Sequence, residues 1–242
     1  MRFLRHFSKM STPGISSLRY KYLERKEAFK EDSLKKKEPF SLFHEWFQEV
    51  LNDKLVEEPN AMCLSTVGKD GQPSSRYVLL KGYSDAGITF FTNYESRKAQ
   101  EMLNNPKVAL NMYWFAHKRQ IRVEGIVSKV SEKESEDYFR ERPVESQMSA
   151  SISRQSQKVP SREYLDELMA GVRKKTEAEG KVPMPNWGGY LVKPHLFEFW
   201  QGQSNRLHDR IVFRRYPGVE KEVDGTLTKE GDDGWVYERL AP

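Results

Sequence analysis

The chain has 242 residues, 37% hydrophobic, 31% charged and 12% aromatic, with a formal net charge of +5. No apolar run approaches the roughly 20 residues that span a bilayer, and the aromatic content argues against disorder over most of the length. The single cysteine excludes an internal disulfide.

Residues 1–23 carry no acidic side chain and contain Arg2, Arg5, Lys9, Arg19 and Lys21. Phe3, Leu4 and Phe7 among them lend a transit-peptide flavour. The expectation is nevertheless a flexible basic tail on a cytoplasmic protein, with residues 1–38 flexible and residues 39–242 forming one domain. Residues 26–38 are highly charged and at best partly helical. The first regular element is a helix over residues 40–52, because Phe43, Trp46, Phe47, Val50 and Leu51 form one stripe at helical spacing. Ser41 is its expected N-cap.

Strands follow. Residues 61–67 and 75–83 flank Gly68-Lys-Asp-Gly-Gln-Pro73, a hairpin connection rich in turn formers. Cys63 on the first strand reads as a small buried hydrophobe rather than a reactive thiol. A strand at 88–92 leads to a short helix over 95–103. Residues 108–115 and 119–129 read as another strand pair. Ser131-Glu-Lys-Glu134 is a capping box opening a helix to residue 141. A polar helix covers 162–178, and strands are expected near 189–192, 197–201, 209–215 and 235–240. Such a succession predicts an antiparallel sheet or barrel with helices around it, mainly β in class.

Four clusters carry candidate chemistry. Extended from Arg206, residues 206–213 would place Arg206, His208 and Arg210 on one face and Leu207, Ile211 and Phe213 on the other. A ligand and a charged edge strand both fit that pattern. In Phe91-Thr-Asn-Tyr-Glu-Ser-Arg-Lys98, an N-cap at Asn93 would put Arg97 and Lys98 in a first helical turn, against the macrodipole unless an anion binds. Tyr138, Arg142 and Ser146 recur every four residues, with Ser146 expected in a loop beyond Pro143. Together they suit a phosphate. Arg76 and Lys81 bracket the apolar Tyr77-Val-Leu-Leu80, whose middle is expected to be buried. Basic residues dispersed in this way fit two small anions better than nucleic acid, which favours a contiguous basic stripe. Zinc-type pairs of Cys and His are absent, so no metal site is expected.

These motifs resemble the pyridoxine (pyridoxamine) 5'-phosphate oxidase family. The resemblance lies in Arg76-Tyr-Val-Leu-Leu-Lys81, Phe91 to Lys98, Arg119-Gln-Ile-Arg-Val-Glu-Gly125, Trp187-Gly-Gly-Tyr190, Phe197-Glu-Phe-Trp-Gln-Gly-Gln-Ser-Asn-Arg-Leu-His-Asp-Arg210 and Tyr237-Glu-Arg-Leu-Ala-Pro242. It runs in order from about residue 19 to the end. It implies an FMN-binding split β-barrel, working as a homodimer with FMN at the subunit interface. By resemblance, Arg76, Arg97 and Lys98 hold the FMN phosphate. Tyr77, Val78, Leu79, Phe91, Thr92, Gln120, Gln155, Ser156, Trp200 and Arg210 position the rest of the cofactor. Lys81, Tyr138, Arg142 and Ser146 hold a substrate phosphate. Arg206, Leu207 and His208 meet the substrate ring, with Arg206 and His208 as the catalytic candidates. Arg19 and Tyr22 match a segment that closes over the substrate. The implied reaction oxidises phosphorylated B6 vitamers to pyridoxal 5'-phosphate, with oxygen as acceptor and release of hydrogen peroxide. Residues 216–234 match nothing in that pattern.

Overall fold

The computed structural model describes residue 22, residues 28–215 and residues 223–242. Arg19 lies outside the described residues. The amphipathic stripe becomes α1, Pro39–Leu51, burying Phe40, Leu42, Phe43, Trp46, Phe47 and Val50. Its cap is Glu38 rather than Ser41: the carboxylate accepts from the N–H groups of Phe40 and Ser41. Pro39, with no N–H to lose, suits the first helical position. Ahead of α1, Glu31–Ser33 forms one 3-10 turn, while Phe29 and Leu34 join the hydrophobic core. The boundary expected at 38/39 therefore falls inside the packed body.

Strands β1 (Ala61–Val67) and β2 (Pro73–Leu79) form the expected hairpin. It reverses through Gly71 at φ 80°, a left-handed conformation that glycine adopts without a Cβ clash. Cys63 is half-buried rather than buried. The second strand stops short of residue 83, because the chain changes partners there. The Leu80 N–H donates to Asn60 O, and the Lys81 N–H donates to Thr89 O. The chain then continues as β3 (Gly82–Ser84) and β4 (Gly87–Asn93). β2 is an edge strand, so Tyr77 is 77% exposed where a buried middle was expected.

Helix α2 is Arg97–Asn104, capped by Ser96, which accepts from the Ala99 N–H. Asn93 does not cap it; its Oδ1 accepts from the Glu95 N–H, in an Asx turn instead. After β5 (Lys107–Trp114) and β6 (Arg119–Lys129), Ser131 caps α3 (Glu132–Glu141). Helix α4, Val144–Ile152, was not foreseen, and it places Ser146 on a helix rather than in a loop. Pro143 ends one helix and, as N-cap, opens the next. Helix α5 (Arg162–Glu179) is capped by Ser161 and ends at left-handed Gly180.

The strands expected at 189–192 and 197–201 are one strand, β7, Trp187–Gln201. Pro194 lies within it, where the β6–β7 register shifts between Glu124 and Gly125. A bulge already interrupts the ladder there, so a missing N–H is tolerated. β8 is Asp209–Arg214, and it does not begin at Arg206. The Arg206 N–H donates to Gln203 O, Asn205 Oδ1 accepts from the Leu207 N–H, and Arg206 sits at φ 68°. Residues 203–207 thus form a turn, which breaks the alternation expected for Arg206, His208 and Arg210. β9 (Thr228–Glu230) and β10 (Val236–Arg239) complete the sheet.

Among the described residues every pairing is antiparallel. The order is β2-β1-β5-β6-β7-β8-β10-β9, with β4 joining β3 to β7. The first half of β7 pairs with β4 and the second half with β8. Leu64, Leu110, Ile121, Val123, Phe197, Phe199, Ile211 and Phe213 fill the inner face. The outer face carries the cross-strand row Tyr113, Gln120, Trp200 and Arg210. Phe139, Met148, Val172, Val182 and Trp187 form a smaller core under the helices. Among the described residues no helix is long and apolar enough to cross a membrane.

Candidate active site

A cavity of about 990 Å³ opens between β2, β4 and helices α2 to α4. Arg76, Tyr77, Val78, Leu79, Lys81, Phe91, Thr92, Arg97, Lys98, Tyr138, Arg142, Ser146, Gln155 and Ser156 all line it. Thus one protomer brings together both sets of residues expected at phosphates. Consecutive residues of the edge strand β2, from Ser74 to Leu79, all line the cavity. Ser74, Asn93, Ser149, Ser153 and Trp187, to which the sequence assigned no site role, also line it; the serines follow no distinguishing pattern, and Asn93 and Trp187 stand in matched motifs.

At one end, the cations are built on α2. Capping by Ser96 puts Arg97 and Lys98 in the first turn. The Arg97 N–H donates to Ser156 Oγ at 3.1 Å, which ties the 153–157 loop to the helix start. Lys98 is buried, and its Nζ donates to Gln155 Oε1 at 2.6 Å, Thr92 Oγ1 at 3.1 Å and Ser96 Oγ at 3.2 Å. Burial, then the nearby Arg76 charge, lower its pKa to about 8, with Glu101 opposing them. Arg76 is held on both terminal nitrogens: Nη1 donates to Leu64 O and Thr66 Oγ1, and Nη2 to Ser74 Oγ and Glu101.

At the other end, Phe91 stacks on Tyr138 at 4.1 Å and on Trp187 at 5.4 Å between ring centroids. Gly189 allows this approach, since a Cβ there would lie 2.8 Å from the Phe91 ring. Arg142 lies over the Trp187 ring at 4.8 Å, and Lys81 Nζ is 5.9 Å from the Tyr138 centroid. Arg142 Nη1 is buried without a hydrogen-bond partner. Burial pulls the Arg142 pKa down, against the opposing influence of Tyr138. A buried guanidinium donor left unpaired is costly, and an anion in this cavity removes the cost.

Gln120, Trp200, Arg206, Leu207, His208 and Arg210 lie outside this cavity. They form a second cluster. Trp200 pairs with Gln120 on one side and Arg210 on the other. The His208 ring lies 4.9 Å from Trp200 and 5.7 Å from Tyr22, and Arg206 stands 5.7 Å over Tyr22. Tyr22 is fixed there by Ser204, whose Oγ accepts from its N–H and donates to its carbonyl. The Gln203 N–H donates to His208 Nδ1, which leaves the imidazole proton on Nε2. Burial, then Arg206, lower the His208 pKa, while Asp209 opposes, so the ring favours its neutral form. Arg210 Nε donates to Glu198 at 2.7 Å and Nη1 to Ala241 O. Trp187 at the cavity and Trp200 in this cluster stand at the two ends of β7. At the usual rise per residue, that separation is about 40 Å of extended chain.

Residues 51–173 match the family model described as pyridoxamine 5'-phosphate oxidase. Residues 187–242 match the one described as pyridoxine 5'-phosphate oxidase C-terminal dimerisation region. The chain belongs to this family. It is 48% identical to a pyridoxine/pyridoxamine 5'-phosphate oxidase of Bombyx mori, covering 99% of this chain and 93% of that one. It is 46% identical to a pyridoxine-5'-phosphate oxidase of Bos taurus, covering 100% and 93%. Among solved structures, PhzG from Burkholderia lata, in complex with tetrahydrophenazine-1-carboxylic acid, matches with TM-score 0.75. That likeness has 28% identity and covers 88% of this chain and 97% of PhzG. An FMN-binding protein of Nostoc punctiforme shares the fold at TM-score 0.61 and 15% identity, over 85% and 98% of the chains. The fold is therefore the split barrel of this oxidase family, and the chain is an oxidoreductase. Of the second cluster, Trp200, Arg206, Leu207, His208 and Arg210 fall in the segment matching the dimerisation region.

Proposed function

We propose that this protein oxidises pyridoxine 5'-phosphate and pyridoxamine 5'-phosphate to pyridoxal 5'-phosphate, using FMN held between the subunits of a homodimer. The observation that carries the reading is the convergence of two phosphate-type donor sets in one cavity, the second containing the unpaired buried Arg142 Nη1. The donor set fits FMN: Arg76, Arg97 and Lys98 suit its phosphate, with Thr92, Gln155 and Ser156 beside them. Tyr77 and Leu207 are both largely exposed. They leave apolar surface near the two clusters that a second subunit would cover. The wide separation along β7 argues that each site takes its second cluster from the partner.

The chemistry supplied by bound FMN is two-electron oxidation at the substrate's C4' carbon, with oxygen as final acceptor and hydrogen peroxide released. Pyridoxine phosphate then yields the aldehyde directly. Pyridoxamine phosphate consumes one water and also releases ammonia. Lys81, Tyr138, Arg142 and Ser146 would anchor the substrate phosphate, so that binding energy far from C4' orients the reacting carbon. Arg206 of the partner subunit would hold the ring by charge. His208 of the partner subunit, neutral with its proton on Nε2, would donate a hydrogen bond to a ring substituent. Tyr22 packs on His208 and covers that cluster, and Arg19 is proposed to act with it.

The test is the visible spectrum of the purified protein, followed by a peroxide assay with each phosphorylated vitamer and its unphosphorylated counterpart. A yellow protein that makes peroxide only with phosphorylated vitamers supports the reading. The PhzG likeness favours one alternative, a ring substrate bearing a carboxylate in place of a phosphate. A yellow protein inert to both vitamers would favour that alternative.

Lys98 adds a pH prediction. A bound phosphate raises the pKa of a neighbouring ammonium, so binding takes up a proton wherever the free lysine is already neutral. FMN affinity is therefore expected to be steady from about pH 7, where the phosphate is largely dianionic, to about pH 8, the value for the unliganded site, and to fall above it. The decline should be at most about tenfold per pH unit. Fluorescence titrations of the flavin-free protein between pH 6 and 10 measure this, and Lys98→Gln should flatten the curve.

A further inference from the structure

We infer that Glu101 is a positioning residue of the anion site, fixing Arg76 and Arg97 so that the site prefers a phosphorylated flavin to the same flavin without phosphate. This rests on the FMN reading above.

Glu101 lies one helical turn beyond Arg97 on α2, and its side chain is 8% exposed. A carboxylate at an anion site is unfavourable on charge alone, so its presence needs another reason. Oε1 accepts from Arg97 Nε at 2.7 Å. Oε2 accepts from Thr66 Oγ1 at 2.5 Å, Ser74 Oγ at 2.7 Å and Arg76 Nη2 at 3.3 Å. Thr66 and Ser74 also accept from Arg76, at 2.5 and 2.6 Å, and so relay the same carboxylate to the guanidinium. Burial pushes the Glu101 pKa up, but hydrogen bonds from Thr66, Ser74 and Arg97 outweigh it and bring it down to about 2, so the group is anionic at neutral pH.

This wiring has two consequences. The bond to Arg97 engages Nε and leaves the two terminal nitrogens for a ligand. Three cations and one carboxylate also leave two net positive charges, close to the charge of a phosphate monoester, about −1.5 to −2. Glu101 thereby lets three like charges sit together before any ligand arrives.

Charge and positioning predict opposite signs for Glu101→Gln. Removing a negative charge should tighten an anion if charge alone matters. If Glu101 orients the arginines, FMN binding instead weakens, by about tenfold for the loss of one charge-assisted anchor. Riboflavin, which lacks the phosphate, should be held as in the wild type. Fluorescence titration of the full-length, flavin-free chain with FMN and with riboflavin gives the ratio of the two dissociation constants. That ratio should fall by about tenfold in Glu101→Gln and by less in Ser74→Ala, which removes one relay and keeps the carboxylate. Tighter or unchanged FMN binding in Glu101→Gln overturns the inference, and so does equal weakening of FMN and riboflavin. If Glu101→Gln does not fold, an unchanged ratio in Ser74→Ala overturns it. A wild-type protein that does not discriminate FMN from riboflavin refutes the FMN-phosphate reading itself, whatever the variants do.

Discussion

Heterodimers of Arg97→Glu and Arg206→Glu protomers are expected to retain about half the wild-type activity, although each parent homodimer is nearly inactive. Both side chains are exposed, but Arg97→Glu also removes the ion pair to buried Glu101, so thermal melts of both parent homodimers accompany the assay. Arg97 lines the cavity and Arg206 belongs to the second cluster. If a site combines the cavity of one subunit with the cluster of the other, a mixed dimer has one site with both lesions and one with neither. Co-expression with two affinity tags, purification through both and the peroxide assay give the number. An inactive mixed dimer would mean that each protomer builds its own site, and the shared-site reading fails.

Arg142→Met should raise KM for phosphorylated substrate by about 10- to 100-fold, the range for losing a charged hydrogen bond of about 1.5–3 kcal/mol. The effect on folding should have the opposite sense. Nη1 is buried with no partner, so methionine removes an unsatisfied donor while keeping contact with Trp187. The unliganded variant should melt at the same temperature as wild type or slightly above it. This is the pattern of a residue whose cost to stability is offset only when ligand binds. Steady-state kinetics with pyridoxine phosphate and thermal melts of the flavin-free protein test both halves. An unchanged KM with a melting temperature several degrees lower would make Arg142 structural.

Much of this architecture was legible in the sequence because local rules agreed with the fold. The α1 stripe, the Gly71 hairpin and the Ser131 cap each follow from short-range patterns. The failures share a cause, in that tertiary contacts overrode a local signal. Residues 189–192 and 197–201 read as two strands, yet a bulge against β6 lets β7 run through Pro194. Pro143 read as a terminator, yet it also begins α4 and so gives Ser146 a helical platform. Alternation from Arg206 ignored the Asx-forming Asn205, whose turn delays β8 until Asp209. Glu101 showed only its four-residue spacing from Arg97. Its bonds to Thr66 and Ser74 cross from α2 to β1 and β2, and nothing local announces them. The site residues were named through motif resemblance, and the cavity now gathers many of them. Their division into two clusters was not visible in one dimension.

β7 works as a ruler. Trp187 and Trp200 stand at opposite ends of one unbroken strand, so its residue count sets the span from one subunit's cavity to the second cluster. Adding one residue between Pro194 and Trp200 would turn every later side chain to the opposite face, sending Trp200 inward. Adding two would restore the faces but carry Trp200 about 7 Å too far. In a site shared between subunits as proposed above, the strand's length would count as much as any side chain that lines it.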